Sequence, residues 1–257
     1  MGEKTACVSL GTYTAAMMEG KENLQGTSYA WPKFSCVPNK FLYDSNGIRR
    51  GMWTISWFKD ILGESYIQMA KEQGMSAEEL LSQEAEKVPA GSDGLMTVLD
   101  WLAPVSDRYK KGIMIGFDGR HTRGHMYRSL LEAIALTMKK HVDDMCEEVH
   151  VELDNLIITG GGSNSSLFMQ IFADVFNLPV VRNTVNGAAG LGSAICAAVA
   201  AGIYGSFEEA VENMVHVKDT FVPNPKTVAL YEKMLPVYQS ITTYTDEVLK
   251  KSYEIFQ

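Results

Sequence analysis

The sequence predicts an α/β domain in which helices flank a mixed central sheet. Two apolar strands, over residues 6–10 and 13–18, open the chain and are separated by a tight Gly11-Thr12 turn. This arrangement predicts an antiparallel pair. Helical and extended segments alternate after it, and an antiparallel pair followed by such alternation is typical of a mixed sheet with helices on its faces.

The most distinctive stretch lies between residues 155 and 174. Its apolar run at 156–158 predicts a strand buried on both faces. The glycines Gly160 to Gly162 then form a turn, and Ser163, Asn164 and Ser165 are candidate N-caps for the helix that follows. Bare main chain beside a helix start suits a ligand that lies flat against the backbone or carries negative charge. A purely structural βα turn is the alternative, and three glycines alone do not decide between them.

Hydrophobic spacing predicts the remaining elements. Ser76 and Glu79 form a capping box at the start of one helix. The uncharged Gly/Ala-rich segment 188–199 predicts a helix closely packed in the interior rather than a membrane span. Residues 95–101 are expected to be buried but irregular. Helices are expected over 53–62, 75–87, 122–145, 188–199, 207–214 and 228–256, and strands or extended segments over 34–41, 113–117 and 180–181.

Composition limits the possible functions. The 257 residues are 46% hydrophobic, which is enough for a substantial core. A net charge of −8 and an isoelectric point near 5.2 argue against nucleic acid or an anionic membrane as the main partner. The four cysteines lie far apart without a Cys-x-x-Cys pair, and the chain does not open with a signal peptide. We therefore expect reduced thiols and a cytoplasmic location.

Three further groups have both a functional and a structural interpretation. Asp118 could serve as a catalytic base, but Asp-Gly is first of all a turn. His121 and His125 have a metal-binding spacing, yet no third ligand is in view, so no metal site is predicted. Trp53 and Trp57 could stack on a ligand, but aromatic residues at helical spacing are usually core.

Several motifs together resemble the C-terminal half of the FGGY carbohydrate kinases, the group that includes glycerol, xylulose, gluconate and ribulose kinases. Ser9-Leu10-Gly11-Thr12 is similar to the family's phosphate turn. Residues 112–132 resemble its second signature, with Phe117 in place of the usual aliphatic residue. Residues 160–166 and 187–195 resemble the adenosine turn and the Ala/Gly helix of the same kinases, so the resemblance runs nearly end to end.

The resemblance implies an actin-like ATPase domain of the ribonuclease-H type, in which two lobes enclose nucleotide and sugar. It implies ATP as cofactor, with Mg²⁺ carried by the nucleotide, and a sugar or polyol as acceptor. Gly11 and Thr12 would bind the terminal phosphates. The adenosine pocket would be lined by Gly161, Gly162, Asn164 and Ser165.

The family's catalytic base is an Asp a short way before the phosphate turn, and no Asp precedes Gly11 in this sequence. We therefore expect residues 1–257 to form a C-terminal nucleotide-binding lobe without catalytic residues, inactive alone, whose partner is its own N-terminal lobe. The strands over 6–18 would lie near the cleft between lobes and be poorly covered in isolation, which could also favour a homodimer.

Two other functions remain open. One is a non-catalytic actin-like domain that binds nucleotide or a partner protein. The other is a Rossmann-type enzyme, which is disfavoured because the Gly-x-Gly-x-x-Gly pattern is absent and position 182 is Arg rather than acidic. For the preferred function, Gly162→Val is expected to abolish nucleotide binding while the fold survives.

Overall fold

The computed structural model describes residues 2 and 4–256, so Met1, Glu3 and Gln257 of the expected 1–257 domain lie outside the described residues. Within this part of the chain there are nine strands and eight α-helices. The strands are β1 (Thr5–Leu10), β2 (Thr14–Gly20), β3 (Trp31–Phe34), β4 (Phe41–Asp44), β5 (Met96–Val98), β6 (Ile113–Ile115), β7 (Asn155–Thr159), β8 (Val180–Asn183) and β9 (Val217–Phe221). The helices are α1 (Gly51–Leu62), α2 (Glu64–Glu72), α3 (Ala77–Glu86), α4 (Arg123–Val149), α5 (Ser166–Phe176), α6 (Ala188–Ala200), α7 (Phe207–Met214) and α8 (Pro225–Ile255).

Seven strands form one mixed sheet in the order β3-β4-β2-β1-β7-β8-β9. The central pairs β1/β7 and β7/β8 are parallel, and the other pairs in this sheet are antiparallel. β5 and β6 form a separate antiparallel pair. Helices α4 and α5 pack on the sheet, and α8 packs on α5. The predicted mixed α/β fold is confirmed.

The long helix α4, which was predicted over 122–145, crosses the core. Apolar residues at steps of three and four are buried along most of its length, beginning with Tyr127, Leu130 and Leu131. The helix ends at His150, whose left-handed backbone (φ 54°) stops it. Apolar residues also recur at helical spacing along α8, and all but Leu235 of Val228, Tyr231, Leu235, Tyr238 and Ile241 are buried.

Three predictions of packing and connection were wrong. The segment 34–41 is not one strand but the turn of the β3-β4 hairpin, because Asn39 adopts a left-handed conformation (φ 62°) after Pro38. Helix α6 forms, but only Ile195 and Ala198 are buried, so it is not a closely packed interior helix. The opening strands are not poorly covered, since β1 lies in the middle of the sheet.

Three elements were not predicted. The spacing gave no signal for α2 or β9, and the segment expected to be irregular over 95–101 contains β5. All four cysteines, which lie within the described residues, are free thiols. Across the residues that the structure describes, no helix combines the length and the apolar character needed to cross a bilayer.

A buried carboxylate connects three parts of the core, namely α4, the turn after α3 and α8. Glu132 on α4 is fully buried and accepts hydrogen bonds from Arg128 Nε (2.9 Å), Gly91 N (2.9 Å), Ser92 Oγ (2.8 Å) and Tyr231 Oη (2.8 Å). Two of these donors belong to the turn after α3, and Tyr231 belongs to α8. Because a buried charge is tolerated only when it is paired and hydrogen-bonded, Glu132 fixes these elements relative to α4.

We expect Glu132→Gln to lower the free energy of unfolding by about 3–5 kcal/mol, because Arg128 would keep a buried charge without its counter-ion. Urea unfolding of the 257-residue chain measures this. Glu147→Gln is the matched control, since Glu147 lies outside this network on the same helix and should change stability by less than about 0.5 kcal/mol. A loss below about 1 kcal/mol for Glu132→Gln would contradict the role assigned to this carboxylate.

Candidate functional site

Two turns of the chain meet at one edge of the sheet. β1 and β7 are adjacent and parallel, with Ser9 opposite Thr159, so the turns that follow them leave the sheet on the same side. The first turn carries Gly11 and Thr12. The second carries Gly160 and the short 3-10 helix Gly161–Asn164. The two segments that the family resemblance assigns to phosphate and adenosine are therefore neighbours in space.

The glycines of the second turn have different roles. Gly160 has a positive φ (85°), and a Cβ there would lie 2.5 Å from Leu10 O, so only glycine fits. A Cβ on Gly162 would lie 2.8 Å from Leu10 Cδ1 and 3.1 Å from Met52 Sδ. At Gly161 a Cβ would meet no atom within 4 Å, so this position faces open space.

This difference corrects one expectation. Gly162→Val would push against the packed side chains of Leu10 and Met52, so the fold is not expected to survive it unchanged. A loss of ligand binding by that variant would not separate a binding role from a packing role. Gly161 is the position at which an added side chain enters open space.

A pocket of about 460 Å³ opens beside this turn. Its walls come from the start of α1, one face of α3, Tyr127 of α4 and the turn itself. All four residues predicted for adenosine line it, whereas Gly11 and Thr12 do not. The lining residues are Met52, Ile55, Ser76, Glu78, Glu79, Ser82, Gln83, Glu86, Tyr127, Gly161, Gly162, Asn164, Ser165 and Phe168.

The polar side chains of the turn are already engaged. Ser165 caps α5, because its Oγ accepts a hydrogen bond from Phe168 N (3.3 Å), and this oxygen lies 3.5 Å from Ser82 Oγ of α3. Asn164 Oδ1 accepts a hydrogen bond from Asn186 Nδ2 (3.1 Å). The capping role predicted for Ser165 is confirmed, and Asn164 is held by the loop before α6.

The first turn is fastened to α1. Gly11 O accepts hydrogen bonds from Met52 N (3.1 Å) and Thr14 Oγ1 (3.2 Å). Thr12 is exposed beside these groups. Met52 therefore contacts both turns, since it binds the first through its backbone and lines the pocket of the second with its side chain.

The α3 wall of the pocket is acidic. Glu78 pairs with Lys59 on α1 (2.9 Å). Glu79 accepts from Ser76 N (2.7 Å), which completes the predicted capping box, and these bonds lower the pKa of Glu79. Deeper in the pocket, burial raises the pKa of Tyr127 to about 12, so its hydroxyl stays protonated at neutral pH.

Residues 6–201 match the family model described as "FGGY family of carbohydrate kinases, C-terminal domain". The chain belongs to the FGGY family. It is 51% identical, over 256 residues, to the "Uncharacterized sugar kinase YgcE" of Escherichia coli K12, covering 99% of this chain and 52% of that protein. It is 32% identical to a xylulose kinase of Lactococcus lactis over 76% of this chain and 38% of that kinase. The chain thus spans about half, or less, of the length of these relatives.

The fold agrees with this FGGY membership. The crystal structure of xylulose kinase from Rhodospirillum rubrum superposes with a TM-score of 0.80 at 23% identity, over 97% of this chain and 49% of that one. A ligand-bound xylulose kinase from Lactobacillus acidophilus gives 0.78 at 19% identity, over 97% of this chain and 49% of that one. The expected actin-like fold is confirmed by these likenesses.

The other candidate residues of this FGGY domain have local partners. Asp118 binds Arg120, and these hydrogen bonds lower its pKa to about 2, which makes it a poor proton acceptor at neutral pH. His121 Nδ1 accepts from Asp118 N (2.8 Å), and His125 Nδ1 accepts from Thr122 N (3.2 Å). Among residues 2 and 4–256, no three His, Cys, Asp or Glu side chains are grouped so that they could hold a metal.

Trp57 packs against the core as predicted for both tryptophans, whereas Trp53 is half-buried and does not belong to the core. Trp57 packs edge-on against Trp101, with ring centroids 4.9 Å apart, at the border of the core. Trp53 lies under the guanidinium of Arg50, 3.8 Å from the ring centre. Neither lines the pocket beside the glycine turn.

Sequence reasoning missed two parts of the site. The α3 wall was predicted only as a helix with a capping box, because a pocket face and a solvent face have the same polar pattern. Arg182 was noted only as the wrong residue for a Rossmann fold, yet its side chain is buried behind the turn and bonds to it.

Gly160→Ala should lower the free energy of unfolding by about 1–3 kcal/mol, because Ala is strained at this φ and its methyl group would meet Leu10 O. Gly161→Ala is the adjacent control and should change stability by less than about 0.5 kcal/mol. Urea unfolding compares the two. Equal effects of the two substitutions would contradict the distinct roles of these glycines.

The pKa of Asp118 gives a pH test. In the folded chain this carboxyl should titrate near pH 2, and Arg120→Ala should return its pKa towards the ordinary value for Asp. Carboxyl-carbon NMR against pH measures both. A wild-type Asp118 that titrates near pH 4 would show that Arg120 does not hold the carboxylate ionised.

Proposed function

We propose that this chain is the ATP-binding lobe of a carbohydrate kinase that phosphorylates a sugar or polyol hydroxyl. The observation that carries the proposal is the meeting of the two turns at one sheet edge, beside a pocket lined by Gly161, Gly162, Asn164 and Ser165. Adenosine would occupy this pocket. Its phosphates would extend towards Gly11 and Thr12.

The shape of the pocket fits a nucleoside. A volume of about 460 Å³ lies in the range typical of small-ligand sites. Gly161 presents open main chain, which lets a flat base or ribose approach the backbone closely. Ser82 and Ser165 place two hydroxyl groups 3.5 Å apart where α3 meets the turn. The bare turn beside these hydroxyls supports adenosine as the occupant.

The first turn has the chemistry for phosphate. Backbone N–H groups at a glycine turn and the exposed hydroxyl of Thr12 can stabilise phosphate oxygens without adding net charge. Mg²⁺ would arrive with the nucleotide and neutralise phosphate charge when bound. We assign no residue of this chain to the metal.

We further propose that turnover requires another lobe that supplies the sugar site and the proton-accepting carboxylate. The two relatives described above are two to three times as long as the matched region. Helix α6 leaves Ala189, Gly190, Gly192 and Ser193 exposed, and small residues of this kind permit close helix contact. We place the contact with the chain's own N-terminal lobe on this face of α6. The alternative occupant is a second copy of this chain, which would form a homodimer.

A cytoplasmic enzyme is consistent with the four free thiols.

Titration calorimetry with ADP and with adenosine tests the binding mode. Gly161→Val should weaken both ligands at least about tenfold, because its side chain enters the adenosine space. Thr12→Val should weaken ADP several-fold and leave adenosine unchanged, since the hydroxyl contacts phosphate only. Gly119→Val is the control, at an exposed turn glycine with open space around it. If Gly161→Val binds both ligands normally, adenosine does not occupy this pocket.

A coupled kinase assay over a panel of pentoses, hexonates and polyols tests the activity. The 257-residue chain should bind ADP and show no turnover with any acceptor. Addition of the N-terminal part of a long relative, or fusion to it, should restore turnover. Phosphorylation by the isolated chain would contradict the need for a second lobe. ADP binding without restored turnover would favour the alternative, a non-catalytic nucleotide-binding domain.

A further inference from the structure

Arg182 lies at the end of β8, behind the turn that forms the adenosine pocket. Only 6% of its surface is exposed, although it carries a permanent charge. Its Nη1 donates to Ser163 O (2.9 Å) and to Asn164 O (3.3 Å), which are the last two carbonyl groups of the 3-10 helix. Nη2 lies 3.4 Å from Ser166 Oγ, at the start of α5.

The other side of the guanidinium is fixed by an acid on the neighbouring strand. Arg182 Nε and Nη2 bind the two carboxylate oxygens of Asp219 at 2.8 and 2.5 Å, so the pair is bidentate. The guanidinium also stacks over the ring of Phe221, 5.1 Å from its centre. Both the position and the plane of the guanidinium are therefore set by β9.

The opposite end of the turn is held by the loop that follows β8. Gly160 N donates to Asn186 O (2.8 Å), and Asn186 Nδ2 donates to Asn164 Oδ1 (3.1 Å). The turn is thus bound to β8 and its loop at its first residue and at its last. Between these two attachments lies Gly161, the open glycine of the pocket.

We propose that Arg182, anchored by Asp219, is a positioning residue that sets the conformation of the adenosine-binding turn. Main-chain carbonyls at the end of a 3-10 turn need donors, and a fixed guanidinium supplies two of them at a defined place. A turn released from these bonds would sample other conformations, and the ligand would have to reorder it on binding. The proposal rests on the proposed nucleotide site. Arg182 itself lies behind the turn, outside the residues that line the pocket.

The test compares Arg182→Met, Arg182→Lys and Asp219→Asn with Lys218→Met, which removes an exposed charge from the same strand as Asp219 without a bond to the turn. Arg182→Met should weaken ADP and adenosine by the same factor, about tenfold to a hundredfold. Arg182→Lys should recover little, because an ammonium cannot bind two carbonyls and a carboxylate in one plane. Asp219→Asn should give a smaller loss of the same kind, and Lys218→Met should change neither affinity.

The equal loss for the two ligands distinguishes positioning from other roles. A residue that acted on the phosphates would weaken ADP and spare adenosine, as expected for Thr12→Val. A purely structural residue would lower the free energy of unfolding and leave the affinity of the folded protein unchanged. Either result for Arg182→Met would overturn the proposal. Urea unfolding of each variant gives the folded fraction, and the Lys and Asn variants carry the test if Arg182→Met does not fold.

Hydrogen exchange without nucleotide separates failure of the proposal from failure of the proposed function. In Arg182→Met, amides over 161–166 should exchange at least about tenfold faster than in Lys218→Met, while those of α4 should not change. If wild-type protein binds no ADP, the nucleotide site is wrong, and this measurement still decides the role of Arg182. Unchanged exchange in the turn would overturn it.

Discussion

The buried carboxylate of Glu132 is the constraint on which the arrangement of the helices depends. It holds Arg128 beside it on α4, and Arg128 Nη1 in turn donates to Val88 O (3.0 Å) and Ala85 O (3.3 Å) at the end of α3. Tyr231 of α8 binds the same carboxylate (2.8 Å). The position of α3 relative to α4 is therefore set by charge-assisted hydrogen bonds, which are stronger and more directional than apolar contacts. Because one face of α3 is a wall of the pocket, this buried network reaches the candidate site.

The opposite wall is held in a similar way. Arg182 binds the carbonyls at the end of the 3-10 turn, just as Arg128 binds those at the end of α3. Each arginine is buried and paired with an acid, Asp219 or Glu132. A buried charge is costly unless it is paired, so each arrangement keeps its geometry only as a complete set. The two walls are thus positioned from behind, by arginines that do not themselves line the pocket.

Much of the fold and part of the site could be predicted from the sequence. The strand before Gly160, the long helix α4 and the capping box at Ser76 each depend on local spacing or local hydrogen bonds, and they formed as predicted. Helix α6 also formed, but it is not buried as predicted. A periodic pattern indicates that a segment is helical, but it does not identify what packs against the helix. The position of Arg182 behind the turn could not be predicted from the sequence for a related reason. Its role depends on strand order, since β8 brings it behind a turn that lies about 20 residues earlier in the chain.

The distribution of charge around the proposed site favours one orientation of the nucleotide. The chain carries a net charge of −8, and acidic side chains of α3 line the proposed adenosine pocket, with Glu78 neutralised by Lys59 and Glu86 exposed. Two like charges about 5 Å apart near a protein surface repel by roughly 3 kcal/mol. A triphosphate would therefore be unfavourable against this wall, whereas uncharged adenosine would not. In the proposed binding mode the phosphates leave the acidic wall for the turn at Gly11 and Thr12, so repulsion at one end and backbone donors at the other favour the same orientation of the nucleotide.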